Sequence, residues 1–503
     1  MSPVLTFFLN SSRLLSYQLV AFGLLSLSGL SAASAPHPCV IESLASIQAR
    51  STYGSAGYFA EASAEHHEVL GKAYREAGSV KKMTGNIQRV SSKDLETDLN
   101  RLAPAELGKL VEQGRKEMPK LYYFTSGAGL WSRGGGQVKA LIPFNLKALL
   151  PEKDFERLVH AGNILNASKS EDVLKLAGRE LRSGEELEYV AARILKERKR
   201  ELGQLIDRAR AHEKSLTPID IKMVNAALQS ERCGSYVPFD IWTSEQTHDA
   251  IQNYLADFAG GYSKKQFHPN PSFDARIKSA LGKYVNESAK RQESHLFGYQ
   301  VGYHALDLDG KPVKGTPMIG EGAGMAKAYL EESGRAAQLK AMGKTTWVFE
   351  NIEVVTDLPI GMAAHVKSGK PVSVILVPEK QGYKGGSPFL IERGGQKRLE
   401  LHEMSALPEE FANGNSYFNS NTIFQSLELA PPKNLGFEVK NAGTGKIVRV
   451  KMNAGDITLE APTSGIGGRI GVEYENFKNY GEFGQNGEKL IDTFRDIWAR
   501  DIR

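Results

Sequence analysis

Cysteine is nearly absent: Cys39 and Cys233 are the only two in 503 residues. The chain can therefore form one disulfide at most, and a pair of buried thiols is an equal reading. No Cys/His spacing of the kind that holds a metal appears, and adjacent His66 and His67 read as a solvated pair. An excess of one charge is also missing. With 63 basic against 58 acidic side chains the formal net charge is +5, too balanced to draw nucleic acid or an anionic membrane, so any anion site must be local. No apolar run reaches the about 20 residues that span a bilayer. A composition of 41% hydrophobic and 24% charged residues is that of an ordinary globular protein long enough for more than one core.

Residues 1–35 stand apart. Arg13 is their only charge, the apolar run Tyr17 to Leu27 comes next, and the small residues Ser31 to Ala35 close the stretch. That order reads as a secretory signal peptide, cut after Ala33 because Pro36 hinders cleavage beside it. Export to a periplasm or the outside is expected, with no membrane span left after cleavage. A misassigned start would leave the protein cytoplasmic.

Lys120 to Asn145 carries the most information. Leu121-Tyr122-Tyr123-Phe124-Thr125 has the composition of a buried strand and breaks at once into Ser126-Gly127-Ala128-Gly129. Small residues after a strand let backbone N–H groups approach a ligand, and Ser132 to Gly136 prolong a loop that can wrap a polyanion. Arg133 and Lys139 bring two positive charges to it, which suits a triphosphate. A surface loop with incidental charges is the bland alternative.

The rest alternates. Residues 36–118 show helical spacing, with Ser91 and Ala103-Pro104 as helix starts. Residues from about 151 to 230 read as a charged helical insertion, in which Lys196 to Arg200 form a solvated face. Val237 to Ser244 returns to strand composition and leads into a helix that Thr243 to Thr247 can cap. Asp309-Gly310 marks a hairpin. Gly320-Glu321-Gly322 opens an alanine-rich helix. Strands alternating with helices point to an α/β fold.

These pieces, in order, resemble the UDP-sugar pyrophosphorylases among the sugar-1-phosphate nucleotidyltransferases. The resemblance runs from about Lys120 to Ile470. GAGLWSR with Lys139 is similar to the nucleotide-binding loop, Trp131 standing where the family has Gly. Thr243-Ser244, the aromatic-Gln strand at Leu296 to Gln300, and His304 to Lys311 continue the likeness. Glu321 replaces the His or Asn of the second glycine loop, and the stretch Thr346 to Pro359, which resembles the family's strand ending in Asp-Asn, has Glu350 at the position of the Asp. Lys384-Gly385-Gly386, Leu401-His402-Glu403, Phe418-Asn419-Ser420-Asn421 and Leu459-Glu460 resemble the sugar-facing segments.

The resemblance implies a three-layer, Rossmann-like nucleotidyltransferase (GT-A-like) core over 119–470, with a helical segment at 36–118 and a helical tail at 471–503. It implies UTP and a sugar 1-phosphate as partners and Mg²⁺ as cofactor. Arg133 and Lys139 would hold the leaving pyrophosphate. Gly127, Ala128, Gly129, Gly320 and Gly322 would line the nucleotide, Glu350 would hold the metal, and Lys384, Asn419 and Glu460 would face the sugar. Glucose 1-phosphate is the first substrate to expect, N-acetylglucosamine 1-phosphate the second. The changes at positions 131, 321 and 350 also allow an exported binding protein of the same fold without transferase activity.

Overall fold

The computed structural model describes Glu68, Gly71, Lys72, Arg75 and residues 86–502, apart from 132–133, 168, 245, 300–301, 314–318, 321, 355, 379–385, 403–407, 412–416, 433–435, 443–444, 452 and 469–478. The signal-peptide reading, His66, His67, Cys39, Arg133, Glu321 and Lys384 therefore lie outside the described residues.

Eight strands form the central sheet: β1 (Thr97–Asp98), β2 (Leu121–Ser126), β3 (Phe239–Thr243), β4 (Leu296–Tyr299), β5 (Thr346–Asn351), β6 (Val372–Pro378), β7 (Tyr417–Ser426) and β8 (Thr463–Gly467). Their order is β1-β8-β6-β7-β5-β2-β3-β4. Every neighbouring pair is parallel except those of β7, which runs against both β6 and β5. A parallel strand is buried on both faces and shows no alternation. Leu121 to Thr125 are accordingly all buried.

Both faces are covered, so the fold is the expected layered α/β class. One face meets a helical layer in which α1 (Pro104–Glu117) packs on α3 (Leu358–Ser368), and α2 (Pro218–Cys233), α3 and α4 (Tyr480–Ile502) share the core beneath the sheet. Tyr122, Phe124, Trp242, Trp347 and Phe349 point to the other face, against the helices Met325–Glu332 and Arg335–Ala341. The antiparallel sheet of Ile87–Arg89, Ser387–Arg393 and Gln396–His402 also lies on that side through Leu399 and Leu401. Among the described residues no helix is long and apolar enough to cross a membrane.

The helical reading of 36–118 needs correction where the chain is described. Ser91 does cap a short 3-10 turn and Pro104 does open α1, but Ile87–Arg89 and β1 are strands. Strands of two or three residues carry no local period; their partners, Ser387–Arg393 and β8, lie hundreds of residues away. In the helical region between β2 and β3, Lys196, Lys199 and Arg200 are exposed as expected. Its last helix, α2, is not peripheral: Pro218 to Gln229 are buried throughout.

α3 illustrates how polar groups are housed. His365 is buried; its Nδ1 meets Ser373 Oγ at 2.8 Å, Ser373 Oγ meets Ser464 Oγ at 2.6 Å, and its ring stacks on Phe424 at 5.9 Å. Burial pushes the imidazole down to about 4, below the ordinary value of about 6.5. The unfolded chain thus binds the proton first as pH falls. The stabilising contribution is whole above about 6.5 and is lost progressively toward 4, by about 3 kcal/mol. Urea midpoints should drop between pH 6.5 and 4.5, and His365→Gln should flatten that slope; an unchanged slope would refute the assignment.

Candidate functional site

The strand order creates one crevice. From β2 the chain runs outward through β3 to β4, then returns to the other side of β2 as β5. At such a reversal the connections leave two parallel neighbours in opposite directions, and ligands bind beyond their carboxyl ends. Thr346 to Asn351 pair in register with Leu121 to Ser126, so the strands end level. The residues just past these two ends define the site.

After β2 comes the glycine loop. The Gly127 N–H donates to the Trp242 carbonyl at 2.8 Å, and Ser244 Oγ donates to the Ala128 carbonyl at 3.0 Å. A Cβ at Gly127 would sit 2.7 Å from Ile241 Cγ2, so the loop approaches β3 only because no side chain intervenes. Ser244, at the strand end that the sequence reads as leading into a helix cap, is thus also the clasp of this loop.

Lys139 returns across Gly129, its side chain 3.5 to 3.7 Å from where a Cβ would stand. After β5 comes Glu353. Lys139 Nζ and Glu353 Oε1 are 3.1 Å apart, with side chains 7% and 3% exposed. A lysine from the first connection and a carboxylate from the second therefore meet across the crevice. This pairing offsets part of the cost of taking both from water, and removing either partner would strand a buried charge.

The other expected residues separate. Glu350 is not at the crevice. It belongs to β5 proper and shares the helical face with Tyr123 and Val348, because side chains two apart on a strand point the same way. It is fully buried, ion-paired with Lys222 of α2, and its Oε2 accepts the Tyr123 hydroxyl at 2.7 Å. Its carboxylate is turned into the helical layer and not past the strand end, so the metal role expected at Glu350 is corrected. Burial also drives the Lys222 amine below, and the Tyr123 phenol well above, its ordinary value; Glu350 opposes the first shift and adds to the second.

The second half of the first glycine run also departs from expectation. Trp131 is fully buried, its ring 4.6 Å from Tyr480 and 5.7 Å from Phe483 of α4. A Cβ on Gly134 would lie 2.0 Å from Trp131 Cε3, and the Gly134 carbonyl accepts the Tyr480 hydroxyl at 3.0 Å. Gly134 thus packs on an indole.

Gly320 pairs with Gly302 in a hairpin beyond β4, and the Gly322 carbonyl accepts the Met325 N–H at 3.2 Å as the next helix begins. This places the second glycine loop two strands from β2, on the β3 side.

The Asn-rich segment forms a bulge in β7. Asn419 faces Leu376 and Ile423 faces Val374, so three residues oppose one. Asn421 takes φ 58°, which Asn tolerates. Asn419 Nδ2 donates to Asn421 Oδ1 at 2.8 Å, and Thr356 Oγ meets Thr422 Oγ at 3.0 Å, joining the connection after β5 to this bulge.

The Asn419 N–H donates to the Gly386 carbonyl at 3.0 Å. Ser387 pairs with His402, and the Leu401 N–H donates to Thr458 Oγ, two residues before Glu460, at 2.9 Å. The segments assigned to the sugar thus gather beside the Leu401–His402 end of the small sheet.

Sequence reasoning missed Glu353 and Lys222. Glu353 lies two positions past the last strand residue, and a loop acid is told from a strand acid only once the boundary is known. Lys222 is the single cation in Ile219 to Leu228, a signal of a buried charge that a lone sequence does not pair.

No protein-family model and no curated protein matches the chain. Among solved structures it is similar to a UDP-glucose phosphorylase from Trypanosoma brucei, with 14% identity over 85% of this chain and 74% of that one and a TM-score of 0.48. It is similar as well to UDP-glucose pyrophosphorylase from Leishmania major, with 13% identity over 87% and 76% of the two chains and a TM-score of 0.48.

Proposed function

We propose that the protein is a uridylyltransferase that converts UTP and a sugar 1-phosphate to a UDP-sugar and pyrophosphate. One observation carries the reading: Lys139 and Glu353, from the connections after two adjacent parallel strands, meet at the point where the sheet's winding reverses. The resemblance, in ordered pieces from about Lys120 to Ile470, narrows the ligand to a nucleotide and a sugar phosphate.

In this reaction a phosphate oxygen of the sugar attacks the α-phosphorus in line. The bond to the bridging oxygen breaks, and pyrophosphate leaves with the electron pair. The protein supplies position and charge neutralisation, not a nucleophile. Lys139, with Arg133 of the same loop, neutralises the leaving group. Gly127, Ala128, Gly129, Gly320 and Gly322 line the nucleotide. Lys384, Asn419 and Glu460 face the sugar, the asparagine offering donor and acceptor to hydroxyls. Glucose 1-phosphate is the first substrate and N-acetylglucosamine 1-phosphate the second.

Mg²⁺ takes one or two carboxylates and completes its shell with water and substrate phosphates. The described residues contain no group of three or more His, Cys, Asp or Glu side chains placed to hold a metal; Glu353, the carboxylate at the crevice, would supply one oxygen ligand once its partner Lys139 turns to the phosphates. The ion would add positive charge at the phosphates.

Purified protein should release pyrophosphate only when UTP, Mg²⁺ and one of these sugar phosphates are all present. Absence of release with every sugar 1-phosphate, while UDP-glucose still binds, would replace the transferase by a binding protein.

A further inference from the structure

Beneath the crevice lies a buried cation that the proposed chemistry does not use. Lys222 sits in the run Ile219-Asp220-Ile221-Lys222-Met223-Val224 of α2, with no exposed surface. Its ammonium bonds two groups from one stretch of chain: the Glu350 carboxylate in β5 and the Val354 carbonyl just beyond it. Tyr123 of β2 donates to the same carboxylate at 2.7 Å, and the ammonium lies 5.2 Å from the Tyr123 ring centre. Glu353, between the two groups Lys222 holds, points the opposite charge to Lys139.

We propose that Lys222 is a positioning residue: by fixing Glu350 and Val354 from below, it sets the placement of Glu353 at the phosphate site. The proposal rests on the uridylyltransferase reading. A loop residue left to itself samples several backbone wells, and misplacement by about 1 Å can cost about 10²-fold in rate. Lys222 removes that freedom without touching substrate. A stabilising role alone would need no charge here, since a buried ion pair is commonly matched or bettered by apolar residues of similar volume. An apolar pair would fill the space and leave the Val354 carbonyl without this donor.

The test is the joint replacement Lys222→Met with Glu350→Met, which avoids a stranded charge. The expected double variant melts cooperatively near the parent temperature, yet its half-saturating Mg²⁺ concentration rises at least tenfold and kcat falls at least tenfold, with KM for the sugar phosphate little changed. The metal shift should appear equally in Mn²⁺ binding with UTP, read by paramagnetic resonance without turnover. A folded double variant with parental metal dependence and kcat would overturn the proposal. Should it not fold, Lys222→Gln with Glu350→Gln keeps hydrogen bonding at similar volume and is held to the same two outcomes. A parent that binds UTP and Mn²⁺ but releases no pyrophosphate would sink the transferase reading, and the Mn²⁺ comparison would still decide the role of Lys222.

Discussion

Lys139→Gln should lower kcat for pyrophosphate release by about 10²- to 10³-fold, the usual loss when a preorganised group that neutralises developing charge is removed. The ammonium lies over Gly129 and is buried, where water screens little and its field on a leaving pyrophosphate is strong. Gln is chosen because its amide can still donate to Glu353, now 3.1 Å from the lysine. Lys139→Ala should show the same kinetic loss with an added stability cost of about 3–5 kcal/mol, since Glu353 would be stranded. Steady-state kinetics on protein with a parental circular dichroism spectrum separates the two effects. A kcat within threefold of the parent would remove Lys139 from the chemistry.

Trp131→Ala should destabilise the protein by about 3–5 kcal/mol, as expected for emptying the space of a fully buried large aromatic residue. The effect should be local. Trp131 is the face on which Tyr480 and Phe483 pack, and α4 reaches onward to Phe144 through Phe494 at 5.7 Å. Hydrogen exchange should therefore speed most in residues 480–494, before global unfolding. Trp131→Phe should cost less, because most of the contact surface remains. Unchanged protection in α4 would show that the indole does not anchor it. The glycine-rich loop after β2 and α4 would thus be packed as one unit.

How far the sequence can be read is clearest where two acids compete. Glu350 and Glu353 are three residues apart, and resemblance points to the first. The strand ends at Asn351, so the first points into the helical layer and the second lies beyond the strand end. One strand boundary separates the two roles, and local composition does not place it. Gly129 does lie beside Lys139, since a loop after a strand is a local matter. Gly134 departs from its expected role because Trp131 and Tyr480, which enclose it, lie far apart in sequence.

The alternation of longer strands with helices after Lys120, the helix starts at Ser91 and Pro104, the Asp309-Gly310 turn and the buried character of β2 were set by local composition alone. Short-range steric and hydrogen-bonding preferences act over a few residues and leave a mark in any single chain. Only the tertiary structure decided that Lys139 meets Glu353, that Lys222 neutralises Glu350, and that Trp131 docks the last helix. The partners stand 353 − 139 = 214, 350 − 222 = 128 and 480 − 131 = 349 positions apart. Low-dielectric burial selects such partners by what lies nearest in space, and sequence distance does not enter.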